Sequence, residues 1–132
     1  MMSDATDIDA AAVEQALAVL DRFMAALNAR SEADLAATLH FPHYRLASGR
    51  MTVWERPDNY FEGFLARAGA GWHHSAWTRR TAIAASPSKV HLDVTFTRFR
   101  ADDTILGAFR SLWIVTCLDG RWGVQARSSF AA

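Results

Sequence analysis

The side chains able to carry chemistry in this chain are few: five histidines, two tyrosines, one cysteine and a set of arginines and carboxylates. His40 and His43 have a spacing that can bring two imidazoles to one metal. Pro42 between them breaks the helix that would align them, however, and no nearby carboxylate completes a ligand set, so no metal and no cofactor is expected. His43 is read as a polar group on a pocket wall, with Tyr44 beside it as a partner for proton transfer. His73 is the other acid or base candidate, since an imidazole titrates near neutrality; a hydrogen-bonded rim histidine is the plainer reading. Cys117 is lone, which excludes an internal disulfide, and reads as a small buried hydrophobe. Ser111 and Ser128 have no histidine near enough to activate them, so they are ligand contacts or satisfied core groups.

Where these groups point depends on the strands that carry them. Asp119-Gly120 between two apolar runs is a strong hairpin signal, because a type I′ turn requires positive φ at both central residues. It sets Leu118 opposite Arg121, then Cys117 with Trp122, Val115 with Val124, Trp113 with Ala126, Ser111 with Ser128 and Phe109 with Phe130. Side chains alternate along a strand, so these pairs share one aromatic face. Thr116, Ile114, Leu112, Arg110, Gln125 and Arg127 lie on the other. A two-residue loop at Asp102-Asp103 sets Phe96 opposite Phe109, Val94 opposite Ser111, Leu92 opposite Trp113 and Val90 opposite Val115, which extends the same face. A turn at Pro87-Ser88 adds Ile83, Arg79, Trp77 and His73 to it, with Arg98 across from Trp77.

Upstream the period changes. From Asp9 to about Asn28, Val13, Leu17, Leu20, Met24 and Leu27 recur at threes and fours, as in an amphipathic helix. Ser31 caps a second helix with Asp34 three residues on and Leu35 and Leu39 as its core side, and Phe41-Pro42 ends it. His43 to Ser48 and Met51 to Trp54 form a short strand and its return. Pro57 opens a third helix with Tyr60, Phe61, Phe64 and Leu65 as its apolar side, and Gly69-Ala70-Gly71 closes it. Residues 1–8 read as a flexible tail on a single domain spanning 1–132. Lys+Arg 14 balance Asp+Glu 14, so no net field favours nucleic acid or an anionic membrane surface. With neither a signal-like start nor a membrane-length apolar run, the default expectation is a cytoplasmic protein.

Helix, helix, short strand pair, helix and four long antiparallel strands is an α+β order: N-terminal helices in the concave face of a strongly curved, mainly antiparallel sheet. In DRFMAALNARSEADLAATLHFPHYRLASGRM and RSLWIVTCLDGRWGVQARSSF the chain resembles the nuclear transport factor 2-like superfamily, the cystatin-like cone fold shared by SnoaL-like cyclases, ketosteroid isomerases, scytalone dehydratase and limonene epoxide hydrolase. The resemblance implies a pocket between sheet and helices and a homodimer through the outer sheet face, here His91, Asp93, Arg110 and Arg127. It does not carry over the isomerase chemistry. Aligned through Asn28-Ala29, the oxyanion-binding tyrosine falls on Phe23 and the catalytic aspartate near Ala47, where neither Leu46 nor Ser48 has a carboxylate. No Asp-Arg-Asp arrangement of the epoxide hydrolase type falls on the aromatic face.

Three functions follow as expectations. The first is a binding protein for a small apolar or aromatic molecule, held by Trp54, Trp77, Phe96, Arg98, Ser111, Trp113 and Ser128. The second is a SnoaL-like cyclase, isomerase or dehydratase using His43 or His73 with Tyr44. The third is a protein–protein adaptor whose cone is filled solid. Fold alone does not choose among them.

Overall fold

The structure is a computed structural model and describes residues 8–58 and 60–131. Helix α1 (Ala10–Asn28) is followed by α2 (Glu32–Ala37), strands β1 (Leu39–Ala47) and β2 (Arg50–Trp54), helix α3 (Tyr60–Ala68), and the long strands β3 (His74–Ser86), β4 (Lys89–Phe99), β5 (Ile105–Leu118) and β6 (Arg121–Ser129). The strands form one sheet in the order β2-β1-β6-β5-β4-β3, antiparallel except where β1 runs parallel to β6. This is the expected α+β architecture.

Local chemistry accounts for the element ends. Asp9 caps α1 by accepting from the Ala12 N–H at 2.9 Å, and Ser31 caps α2 by accepting from Asp34. The two-residue turns Ser48-Gly49 and Asp119-Gly120 have positive φ at each position, as a type I′ hairpin needs. The buried side of α1 is Ala12, Ala16, Val19, Leu20, Phe23, Ala26 and Leu27, which settles against Leu92, Val94, Trp113 and Val115 of the sheet. Small alanines along that side let the helix lie close to the strands.

Some boundaries differ from expectation. Residues 1–7 lie outside the described residues, but Ile8, read as tail, bridges Ala85, and the Asp9 N–H donates to the Ala85 carbonyl. Leu39 is buried as the first residue of β1, so α2 ends before Phe41-Pro42; that peptide is cis within the strand. Leu65 of α3 is exposed. Cys117 is half-buried, short of the core position expected for it.

The β4–β5 register holds as far as Arg98 with Gly107 and then shifts, so Phe99 meets Ile105 and the turn is not the expected two-residue loop at Asp102-Asp103; the other two long hairpins slip within their strands. Phe96 with Phe109, Val94 with Ser111, Leu92 with Trp113 and Val90 with Val115 pair as expected. Between β5 and β6 the expected pairs hold to Val115 with Val124, and then Gln125 is an extra residue: Ile114 meets Ala126, Trp113 meets Arg127 and Ser111 meets Ser129. One inserted residue reverses every later side chain. Arg127 and Ser129 therefore turn inward and Ser128 outward, and Phe130 is exposed. Strand β3 slips twice, so Ala82, Arg80 and Trp77 oppose Leu92, Val94 and Phe96, while Arg79 and Ile83 face out. Arg98 consequently lies across from Ser75, not Trp77.

Candidate ligand cavity in the cone

The inner sheet face meets α1 and α3 around a narrow cavity of about 30 Å³. Its apolar wall is Phe23, Met24 and Leu27 of α1, Phe64 of α3, and Trp77, Phe96 and Trp113 of the sheet. Phe23 and Trp77 each meet Trp113 edge-on, with ring centroids 4.9 and 5.0 Å apart, a favoured aromatic geometry. Both indoles are also anchored: Trp77 Nε1 donates to the Leu20 carbonyl at 2.9 Å, and Trp113 Nε1 to Ser111 Oγ at 3.0 Å. Ser111 Oγ in turn donates to the Ser128 carbonyl at 2.9 Å, so its hydroxyl holds the wall in place.

The polar wall was only partly anticipated. Arg45, Arg67, Arg98 and Arg127 all line the cavity, with Ser75, Ser111 and Ser129, and among the described residues no aspartate or glutamate joins them. Arg98 lies 4.8 to 5.5 Å from the ring centres of Phe64, Phe96 and Phe109. Arg127 lies 5.3 Å from the Tyr60 ring and 5.2 Å from that of Trp113. Arg67 reaches in from α3 across the Trp54 ring at 5.6 Å. Arg45, the register neighbour of Arg127, donates to the Ala131 carbonyl at 3.1 Å. Burial, and next the charge of Arg127, push Arg67 down to about 9 and Arg45 to about 10, and lower Arg98. At neutral pH Arg45 and Arg67 remain cationic.

Of the expected site residues, Trp77, Phe96, Arg98, Ser111 and Trp113 line this cavity. Ser128 does not, because of the extra residue at Gln125, and Ser129 takes its place. Trp54 packs behind the cavity against Tyr60 and His43. Arg127 moves from the expected outer face to the inner one, whereas His91, Asp93 and Arg110 remain outside. There Asp93 accepts from Arg110 at 2.9 and 2.7 Å and from Arg79 at 3.3 Å, and these arginines hold its carboxyl below the usual range.

The histidines sort differently from expectation. His43 is fully buried and its Nδ1–H donates to the Val124 carbonyl at 3.1 Å, which leaves Nε2 as a bare acceptor with no partner. Burial first, then the nearby Arg127, push its pKa down to about 3. Tyr44 points to the opposite side of β1 and is exposed, so the expected His43–Tyr44 pair does not form. The tyrosine beside His43 is Tyr60, edge-on at 5.6 Å, whose buried hydroxyl also lacks a partner. His73 is exposed outside the cavity, with its Nδ1 3.0 Å from that of His74. His40 has both nitrogens engaged, Nε2–H donating to Thr116 O and Nδ1 accepting from Arg121, each at 2.9 Å. Among the described residues no group of three or more His, Cys, Asp or Glu side chains can hold a metal.

No known family profile matches the chain, and no curated protein sequence does. Solved structures do. A Nostoc punctiforme protein of unknown function with a cystatin-like fold superposes with a TM-score of 0.76 at 13% identity, covering 96% of this chain and 95% of its own. An NTF2-like protein of unknown function from Pseudomonas putida gives 0.74 at 15% identity, with 96% and 90% covered. A provisionally assigned ketosteroid isomerase from Shewanella frigidimarina gives 0.69 at 14% identity, with 87% and 94% covered. The chain thus has the cystatin-like, NTF2-like cone fold, and a fold by itself specifies no function.

Proposed function

We propose that this protein binds a small organic molecule by inserting one polar end of it into the cone. The observation that carries the reading is the cavity between helices and sheet, whose aromatic side chains are anchored by hydrogen bonds from both indoles and which is also lined by arginines and serines. Binding sites pair a mostly apolar wall with a few placed polar groups in this way. The narrow cavity supports a compact ligand group.

Acid–base catalysis has weaker support. A general base works best with a pKa near the operating pH, and an imidazole held near 3 is far too weak. His73 is exposed and does not line the cavity, and Tyr44 faces away. A filled adaptor cone is also the poorer reading, since the arginine-lined space remains. We further propose self-association through the outer sheet face. Native mass spectrometry of the purified full chain, followed by denaturation and identification of whatever is released, tests the binding reading. A defined small molecule bound in fixed ratio is the expected result; a bare protein whose stability no small molecule alters would overturn it.

A further inference from the structure

We infer that the group the cone takes is a carboxylate, so that the ligand is a small carboxylic acid clamped by Arg67, Arg98 and Arg127. The inference rests on the reading of the cone as a ligand site and names the chemistry of that site. A buried charge is costly unless paired, and the usual compensation is a carboxylate of the same chain. Among the described residues, none of these three arginines makes an ion pair with Asp or Glu. Arg98 and Arg127 are 5% and 8% exposed, and Nε of each, with one terminal nitrogen of Arg67, is buried without an acceptor. Aromatic stacking offsets part of the cost and fixes the guanidinium positions, but it does not accept an N–H hydrogen bond in the guanidinium plane.

Three cations from α3, β4 and β6 thus converge on a space that has no anion among its described lining residues. Each lowers the cost of binding negative charge there, and charge-assisted guanidinium bonds are the strong ones. A guanidinium presents its N–H groups in a planar fork that two coplanar carboxylate oxygens match, and the apolar wall of Phe23, Met24 and Leu27 suits the carbon body of an organic acid better than a bare inorganic anion.

The test is titration of the full-length protein with butyrate and benzoate, each against its neutral isostere, butyramide or benzamide, and with inorganic phosphate. Affinity is read by calorimetry and by shift of the melting temperature. The expected result is that an acid binds about tenfold or more tighter than its amide, as for lost hydrogen bonds to a charged group, while phosphate is weaker than the acid. R98Q and R127Q, checked for native circular dichroism, should erase the difference between acid and amide. The wild-type comparison stands even if those variants do not fold. Amides binding as well as acids, or a neutral molecule released from the native protein, would overturn the carboxylate and leave the binding cone intact. Preferred phosphate binding would overturn the choice of anion. No binding by any probe, charged or neutral, to a protein that carries nothing would overturn the carboxylate and the binding cone together.

Discussion

At the scale of single residues, His43 is the most informative side chain. An unfolded histidine takes up a proton near pH 6.5, whereas folded His43 does so only near 3, because burial and Arg127 disfavour the imidazolium. In the window between, the unfolded state holds the extra proton. Stability therefore declines as pH falls from 6.5 toward 3, by up to roughly 1.4 kcal/mol per pH unit from this group alone. Asp93, with its lowered carboxyl pKa, adds to the loss only at the acid end of that range. His43→Asn keeps a donor near Nδ1 for the Val124 carbonyl but cannot titrate. Urea unfolding of both proteins at steps through the window should show a flatter acid decline for the variant; equal slopes would mean that His43 is hydrated and titrates normally.

At the scale of elements, the four long strands were legible because turn residues and alternation are local signals, and Asp119-Gly120 alone fixed the hairpin as far as Val124. The extra residue at Gln125 was not legible. A bulge depends on how β6 must bend to pair with both β5 and β1, and no side-chain type marks it. That single slip concealed Arg127 and Ser129 and promoted Ser128 wrongly. Arg67 and Tyr60 were hidden for another reason: the helical pattern of α3 shows an apolar side, but not that its edge arrives beside His43 and the arginines of β4 and β6. The bulge makes a direct prediction. Ser128→Lys, on the outer face, should leave the melting temperature within a few degrees, whereas Ser129→Lys adds an inward cation beside Arg98 and Arg127 and should cost about 1–3 kcal/mol or more. The reverse ranking in thermal denaturation would restore the regular register.

At the scale of the whole molecule, the outer sheet face is divided. Across it run two rows in register, Val53, Tyr44, Ala126, Ile114 and His91 in one, and Met51, Leu46, Ser128, Leu112 and Asp93 in the other. Their β1–β2 end is apolar and exposed at Tyr44, Leu46, Met51 and Val53, while at the far end Asp93 is already engaged by Arg79 and Arg110 of its own chain. With its charge partnered internally, Asp93 contributes little net attraction to a second subunit; the apolar end supplies the driving force, since a contiguous patch of this kind favours association. A balanced net charge adds no long-range repulsion between copies. Self-association should therefore depend on the β1–β2 hairpin, not on His91, Asp93 and Arg110, the outer-face residues first expected to mediate it. By sedimentation velocity the protein should run at twice its chain mass; Leu46→Glu with Met51→Glu should yield a folded monomer, and Leu65→Glu on the helical side should change nothing. A dimer that survives the double substitution, or a wild-type monomer at every concentration, would rule this face out as the interface.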